Sequence, residues 1–242
     1  MSSTVHIPFD GAGPAVKDVM MLEPRSVGPD TSIAELRETF ASGEFPKRPL
    51  IIGANRDEGT LFHTSLFATP VTDEAEYRAA LARRFPASAI DDIVQRYPLS
   101  AFPTANRAIA EVSGDAFFVC PSRRTARAVA AAGAPTYYYN FQREPSQAFM
   151  PDLGVFHSAE IPFLFGTDPR YPLARAGEAG QPTADALQGY WTRFAKTRDP
   201  NGDDATAWPA YTRASDEHLV IDNAPSVSSG YKTALCDYWD SI

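Results

Sequence analysis

The hydrophobic pattern of this chain changes period several times. Leu50, Ile51 and Ile52 form a continuous apolar run that ends at Gly53 and a polar turn, as expected of a parallel-sheet strand covered on both faces. Asp73 and Glu76 then give an N-cap and an N3 acid ahead of Tyr77, Leu81 and Phe85, which predicts an amphipathic helix ended by Pro86. Ile90, Ile93, Val94 and Tyr97 recur at helical spacing, and Pro98 closes that second helix. The Ala- and Arg-rich run from Thr104 to Ala132 is interrupted at Gly114-Asp115 and at Pro121. It predicts two helices, with Pro121 near the start of the second and Gly133 as its stop. TYYYNF, Thr136 to Phe141, is β-branched and aromatic without a helical period and reads as a second strand. Leu187, Tyr190, Trp191 and Phe194 mark one face of a helix that stops at Asp199-Pro200-Asn201-Gly202, and these rings read as core packing. HLVID, His218 to Asp222, is a short third strand, and a last helix is expected from about Ser229 to Trp239.

Strands separated by helices argue for an α/β fold with a largely parallel sheet. Three strands are few for a sheet that needs cover on both faces, so the sheet is expected to be incomplete. Residues 1–46 are rich in Gly, Pro, Asp and Ser and hold one short helical candidate, Ile33 to Phe40; they read as a surface lead-in and not as a domain. With 242 residues, 44% of them hydrophobic, the chain can bury a sizeable core. The net charge of −8, with no basic run longer than Arg123-Arg124, lacks the footprint of a nucleic-acid binder. No apolar run approaches the roughly 18 residues of a membrane span. MSSTVHIPFDG has neither the basic nor the apolar region of a secretory signal, so no signal peptide is expected in this chain. Cys120 and Cys236 lie far apart and outside any Cys-x-x-Cys spacing; two buried thiols and one long-range disulfide both fit.

Two residues stand out chemically. Glu58 sits just past the carboxyl end of the first strand, where open α/β sheets place reactive groups, although an acid in such a turn is more often a solvated or capping group. His157, in GVFHSAEIPFLFG, lies in a loop after the second strand, and adjacent strand ends can bring the two together, although spacing alone more often means an ordinary loop or buried histidine. A carboxylate on one imidazole nitrogen fixes the tautomer and leaves the other to accept a proton from a nucleophile. The nucleophile itself is missing: there is no Gly-x-Ser-x-Gly, and Ser113, Ser158 and Ser228 lack the flanking glycines of a strained elbow. An HGGG-like oxyanion loop is missing too. His6, His63 and His218 have no partners at metal-ligand spacing and read as structural or surface residues, so neither a metal nor another cofactor is expected.

GANRDEGTLF resembles the acid motif of the type-B carboxylesterase and cholinesterase family, and GVFHSAEIPFLFG resembles its histidine motif. The similarity continues through GDAFFVCPSRR, TYYYNF, YWTRFAKTRDPNG with WPAY, and CDYWD, in the family's order over roughly residues 38 to 240. The resemblance implies the carboxyl-terminal part of one α/β-hydrolase domain over 38–242, preceded by a poorly matched lead-in over 1–37. It also implies a Ser-Glu-His acyl-enzyme mechanism on a small-molecule ester, with Glu58 as the acid and His157 as the base. The serine elbow and oxyanion loop belong to the family's amino-terminal half, so that half is the implied partner and this chain alone is expected to be inactive. The alternatives are a non-catalytic cholinesterase-like module that binds a protein, or an inactive truncated remnant. Cys120 and Cys236 stand where the cholinesterase branch has a disulfide, a bond that would place the protein in a secreted or periplasmic setting. Phe156, Phe163 and Phe165 near His157 hint at an apolar rim, although aromatic residues in such loops are more often core.

Overall fold

The computed structural model describes residues 38–40, 42–63, 70–150, 152–166 and 173–242. Along the chain, β1 (Leu50–Asn55) is followed by α1 (Glu74–Ala82), α2 (Ile90–Arg96), α3 (Ala105–Gly114), a π-helical turn (Asp115–Val119), α4 (Cys120–Ala131) and β2 (Thr136–Phe141). Then come β3 (Gln147–Ala148), α5 (Ile161–Leu164), β4 (Ala174–Arg175), α6 (Gln181–Thr197), β5 (Glu217–Ile221), β6 (Ser226–Ser229) and α7 (Thr233–Trp239).

The expected three strands form one sheet: β1 pairs parallel with β2, from Leu50 opposite Thr136 to Asn55 opposite Phe141, and β2 pairs parallel with β5. The carboxyl ends of β1 and β2 therefore lie side by side. Successive strand residues point to opposite faces. Ile51, Tyr137 and Phe141 pack with Leu187, Tyr190 and Phe194 of α6 on one face, whereas Ile52 and Tyr138 pack with Ala126 of α4 on the other. Gly53 is required by this pairing, because a Cβ there would collide with the Tyr139 carbonyl and ring.

Three expectations need correction. Three more strands exist among the described residues: β6, antiparallel to β5, and the two-residue β3–β4 pair. The last helix begins at Thr233 and not near Ser229, because Ser226–Ser229 extends the sheet. Gly114-Asp115 does not break the helical run, which passes through the π-helical turn into α4 with Pro121 in its first turn. Pro121 lacks an N–H to donate, and the wider π-helical turn directly ahead of it accommodates the missing bond. Of the lead-in helix, residues 38–40 and 42 are helical, and the remainder of Ile33 to Phe40 lies outside the described residues.

Asp73 caps α1 as expected, its carboxylate accepting the Glu76 N–H at 2.8 Å. The carboxyl-terminal helix α7 is fastened to the α2–α4 layer. Cys236 is bonded to Cys120, the Trp239 indole N–H donates to the Tyr97 hydroxyl at 2.8 Å, and Lys232 pairs with Glu111 and buried Asp115.

Candidate active site

The site is built at the carboxyl end of β1. Asn55 ends the strand, and Arg56-Asp57-Glu58-Gly59 turns sharply into a 3-10 turn, Thr60–His63. This turn lies flat on α3. A Cβ on Gly59 would meet the Ala110 carbonyl oxygen, and one on Gly114 would sit 3.1 Å from the Gly59 nitrogen. Glycine at 59 thus lets Glu58 be pressed between β1 and α3. Its carboxylate is almost fully buried, and its Oε1 accepts the backbone N–H of Asn55 at 2.7 Å.

The loop carrying His157 is stitched to the same turn. The Asp57 N–H donates to the Val155 carbonyl at 3.0 Å, the Val155 N–H returns to Asp57 Oδ2 at 2.8 Å, and the Thr60 hydroxyl donates to the Leu153 carbonyl at 2.7 Å. Gly154 has φ +62°, and a side chain there would run into the Asp57 carboxylate. Arg107 of α3 holds the other oxygen of Asp57, Oδ1, and the Arg56 Nε–H donates to Oδ2 at 2.9 Å. Asp57 is therefore structural mortar for the site, neutralised by two cations.

These anchors bring His157 Nδ1 to 2.7 Å from Glu58 Oε2, although the residues are 99 positions apart in sequence. The carboxylate is 8% exposed and the imidazole 42%, so a buried acid holds a half-exposed ring. The hydrogen bond to Glu58 holds the imidazole above its ordinary pKa, with the charges of Glu58 and Glu160 reinforcing it and partial burial opposing it. With Nδ1–H on the carboxylate, the neutral ring keeps its lone pair on Nε2. The ring lies against Phe118, 4.8 Å between centroids, and Phe62, 5.5 Å, which stack on each other. Phe118 reaches it from the π-helical turn, which shifts the register of the helix there.

Glu160, three residues after His157, is a third carboxylate of the site. Burial raises its pKa, and its bond from the Asn55 amide works against that rise. The sequence pattern does not mark Glu160, Asn55, Asp57 or Phe118, and the segment from His157 to Glu160 has no helical period, the next helix beginning at Ile161. Phe156 and Phe163 are fully buried core residues, and only Phe165 is well exposed. His63 bonds Ser113 at 3.0 Å, its pKa pushed down to about 4 by burial and by Arg84. His218 is buried beside Tyr138 and Tyr231, and Ser228 lies opposite it in β6. Ser158 has φ 74° and its hydroxyl donates to the His157 carbonyl; His6 is outside the described residues. Among the described residues no cluster of His, Cys, Asp and Glu could hold a metal, and no helix is long and apolar enough to cross a membrane.

Comparison with known proteins agrees with this architecture. Carboxylesterase 5A of Homo sapiens is 28% identical over 218 residues, covering 81% of this chain and 36% of that protein. Carboxylesterase 5A of Felis catus is 36% identical over 137 residues, 53% of this chain and 25% of that protein. Cocaine esterase of Oryctolagus cuniculus is 27% identical over 242 residues, 93% of this chain and 44% of that protein. The chain thus spans less than half the length of these relatives. The family described as "Carboxylesterase family" matches residues 9–239, nearly the whole sequence. With helices on both faces of a mostly parallel sheet and that match along its length, the chain belongs to the carboxylesterase family and has its α/β-hydrolase fold.

Proposed function

We propose that this chain supplies the acid and the base of a carboxylic-ester hydrolase that works through a Ser-Glu-His acyl-enzyme. The observation that carries the reading is the 2.7 Å bond between His157 Nδ1 and Glu58 Oε2 beside an exposed imidazole edge. In this mechanism His157 Nε2 takes the proton of a serine hydroxyl as the oxygen attacks the ester carbonyl, and Glu58 stabilises the imidazolium. The imidazolium then protonates the departing alkoxide, and a water deprotonated by the same Nε2 releases the acid and the serine. Phe62 and Phe118 give the base an apolar flank suited to a small uncharged ester.

The serine and the oxyanion donors come, in this reading, from a further polypeptide segment, joined to this chain or separate. The sequence holds no Gly-x-Ser-x-Gly, which supports that assignment. So does the sheet. Among the described residues β1 stands at an edge although its run Leu50-Ile51-Ile52 is apolar on both faces, which suits pairing with another parallel strand. Alone, the chain hydrolyses esters little or not at all. Joined to a carboxylesterase segment bearing the serine elbow, it hydrolyses p-nitrophenyl acetate, and Glu58→Gln lowers kcat by about 10⁴-fold, the loss seen when the acid of a serine-protease triad becomes an amide. Near-wild-type turnover by that variant would sink the proposal.

A further inference from the structure

We propose that Asn55 is the positioning residue of this site, its side-chain amide holding the His157 loop on the end of β1 so that the imidazole stays seated on Glu58. The inference rests on the Glu58–His157 reading and names what maintains that pair. Asn55 is 2% exposed and bonds both Glu58 and the residues that flank His157. Its backbone N–H donates to Glu58 Oε1, the carboxylate oxygen not used by His157, at 2.7 Å. Its side-chain nitrogen donates to the Phe156 carbonyl at 2.8 Å and to Glu160 Oε2. These two acceptors bracket His157, one residue before it and three after.

The chemistry of the bracket selects asparagine. A backbone carbonyl and a carboxylate only accept, so the group between them must present two N–H donors on a short stem. Aspartate offers none, serine one, and glutamine places its amide one methylene farther out. The same two acceptors fix which way the amide is turned. The anchors from Asp57 and Thr60 act upstream, at Val155 and Leu153, so Asn55 governs the part of the loop that holds the imidazole. That part includes Ser158, whose φ of 74° is unfavourable for a side chain with a Cβ and persists only where the surroundings impose it. Asn55 touches none of the reacting atoms and is not a catalytic residue. Because its bond to Glu58 is made by the backbone, a side-chain substitution leaves the acid in place and frees only the histidine loop.

The test is an NMR titration of the full chain with isotope-labelled histidine, His157 being assigned by the loss of its signals in His157→Gln. In Asn55→Ala the His157 midpoint falls by about 0.5–1 pH unit toward the ordinary histidine value, and the low-field Nδ1–H resonance broadens or disappears. Both the looser Glu58 bond and the weaker charge on Glu160 push the midpoint down. A folded Asn55→Ala with unchanged midpoint and Nδ1–H signal overturns the proposal. The unaltered chain gives a second reading should the variant not fold: both Asn55 side-chain amide protons exchange slowly with solvent, and exchange at the rate of a free amide overturns it. No ester is involved in either measurement. Failure of the hydrolase reading would therefore appear as inactive joined enzyme with the midpoint shift intact, and failure of the Asn55 role as an unchanged midpoint in active enzyme.

Discussion

Removing the Cys120–Cys236 bond by replacing both residues with alanine tests how α7 is held. The bond joins the start of α4 to α7 across 116 positions. On the chain-entropy model, releasing a loop of that length from the unfolded state lowers stability by about 4.8 kcal/mol. The folded state should change little, because α7 keeps its other fastenings. Trp239 still donates to Tyr97 at 2.8 Å, Lys232 still pairs with Glu111 and Asp115, and Arg123 still bonds Asp237 at 2.9 Å. With a urea m-value of about 3 kcal/mol/M for a chain of this size, the midpoint of unfolding falls by about 1.6 M. The assay is urea titration followed by tryptophan fluorescence and near-UV circular dichroism. A midpoint lowered by less than about 0.5 M would refute the entropic argument. Loss of the near-UV signal without urea would refute the polar fastening of α7.

Lys232→Met leaves the fully buried Asp115 without its cation and destabilises the fold by about 3–5 kcal/mol. Burial already raises the Asp115 pKa, so the folded state of this variant binds the proton more tightly than the unfolded chain; thermal melts should show it more stable at pH 5 than at pH 7, and the opposite order contradicts the assignment. Gly59→Ala drives a methyl into the Ala110 carbonyl and displaces the Glu58 turn, destabilising the chain by about 1–3 kcal/mol in chemical denaturation; an unperturbed, fully stable variant would mean that the turn does not press on α3. His63, held down to about 4 against 6.5 unfolded, takes up its proton less readily when folded. Its contribution therefore weakens the fold as pH falls from 6.5 toward 4, by about 1–2 kcal/mol after allowance for solvent screening, and His63→Gln should flatten that part of the stability profile.

The hydrophobic pattern was enough to find β1, β2, β5 and the helices that cover them, because each has an apolar stripe or run of the right period. It could not find β6, whose Ser-Val-Ser-Ser sequence is exposed throughout and pairs with β5 through the backbone. Nor could it see that Gly114-Asp115 continues a helix: Gly114 sits there because Gly59 lies against it, a contact between distant residues that no local propensity encodes. The candidate site divides in the same way. Glu58 was legible as an acid just past a strand end and His157 as a histidine in the loop that follows the second strand, each within a resembling motif. Asn55, Asp57 and Glu160 were not, since each matters through bonds across roughly a hundred positions and each is unremarkable in its own segment.

The central claim is that His157, oriented by Glu58, is the base for a serine held elsewhere. It is tested most directly by the rate at which a fluorophosphonate labels that serine in the joined enzyme, followed by intact-protein mass spectrometry, because labelling requires deprotonation of the hydroxyl but no turnover. The unaltered enzyme should be labelled rapidly and stoichiometrically. Labelling should slow at least about 10³-fold in His157→Ala and strongly in Glu58→Gln. Labelling of folded His157→Ala at the unaltered rate would contradict it.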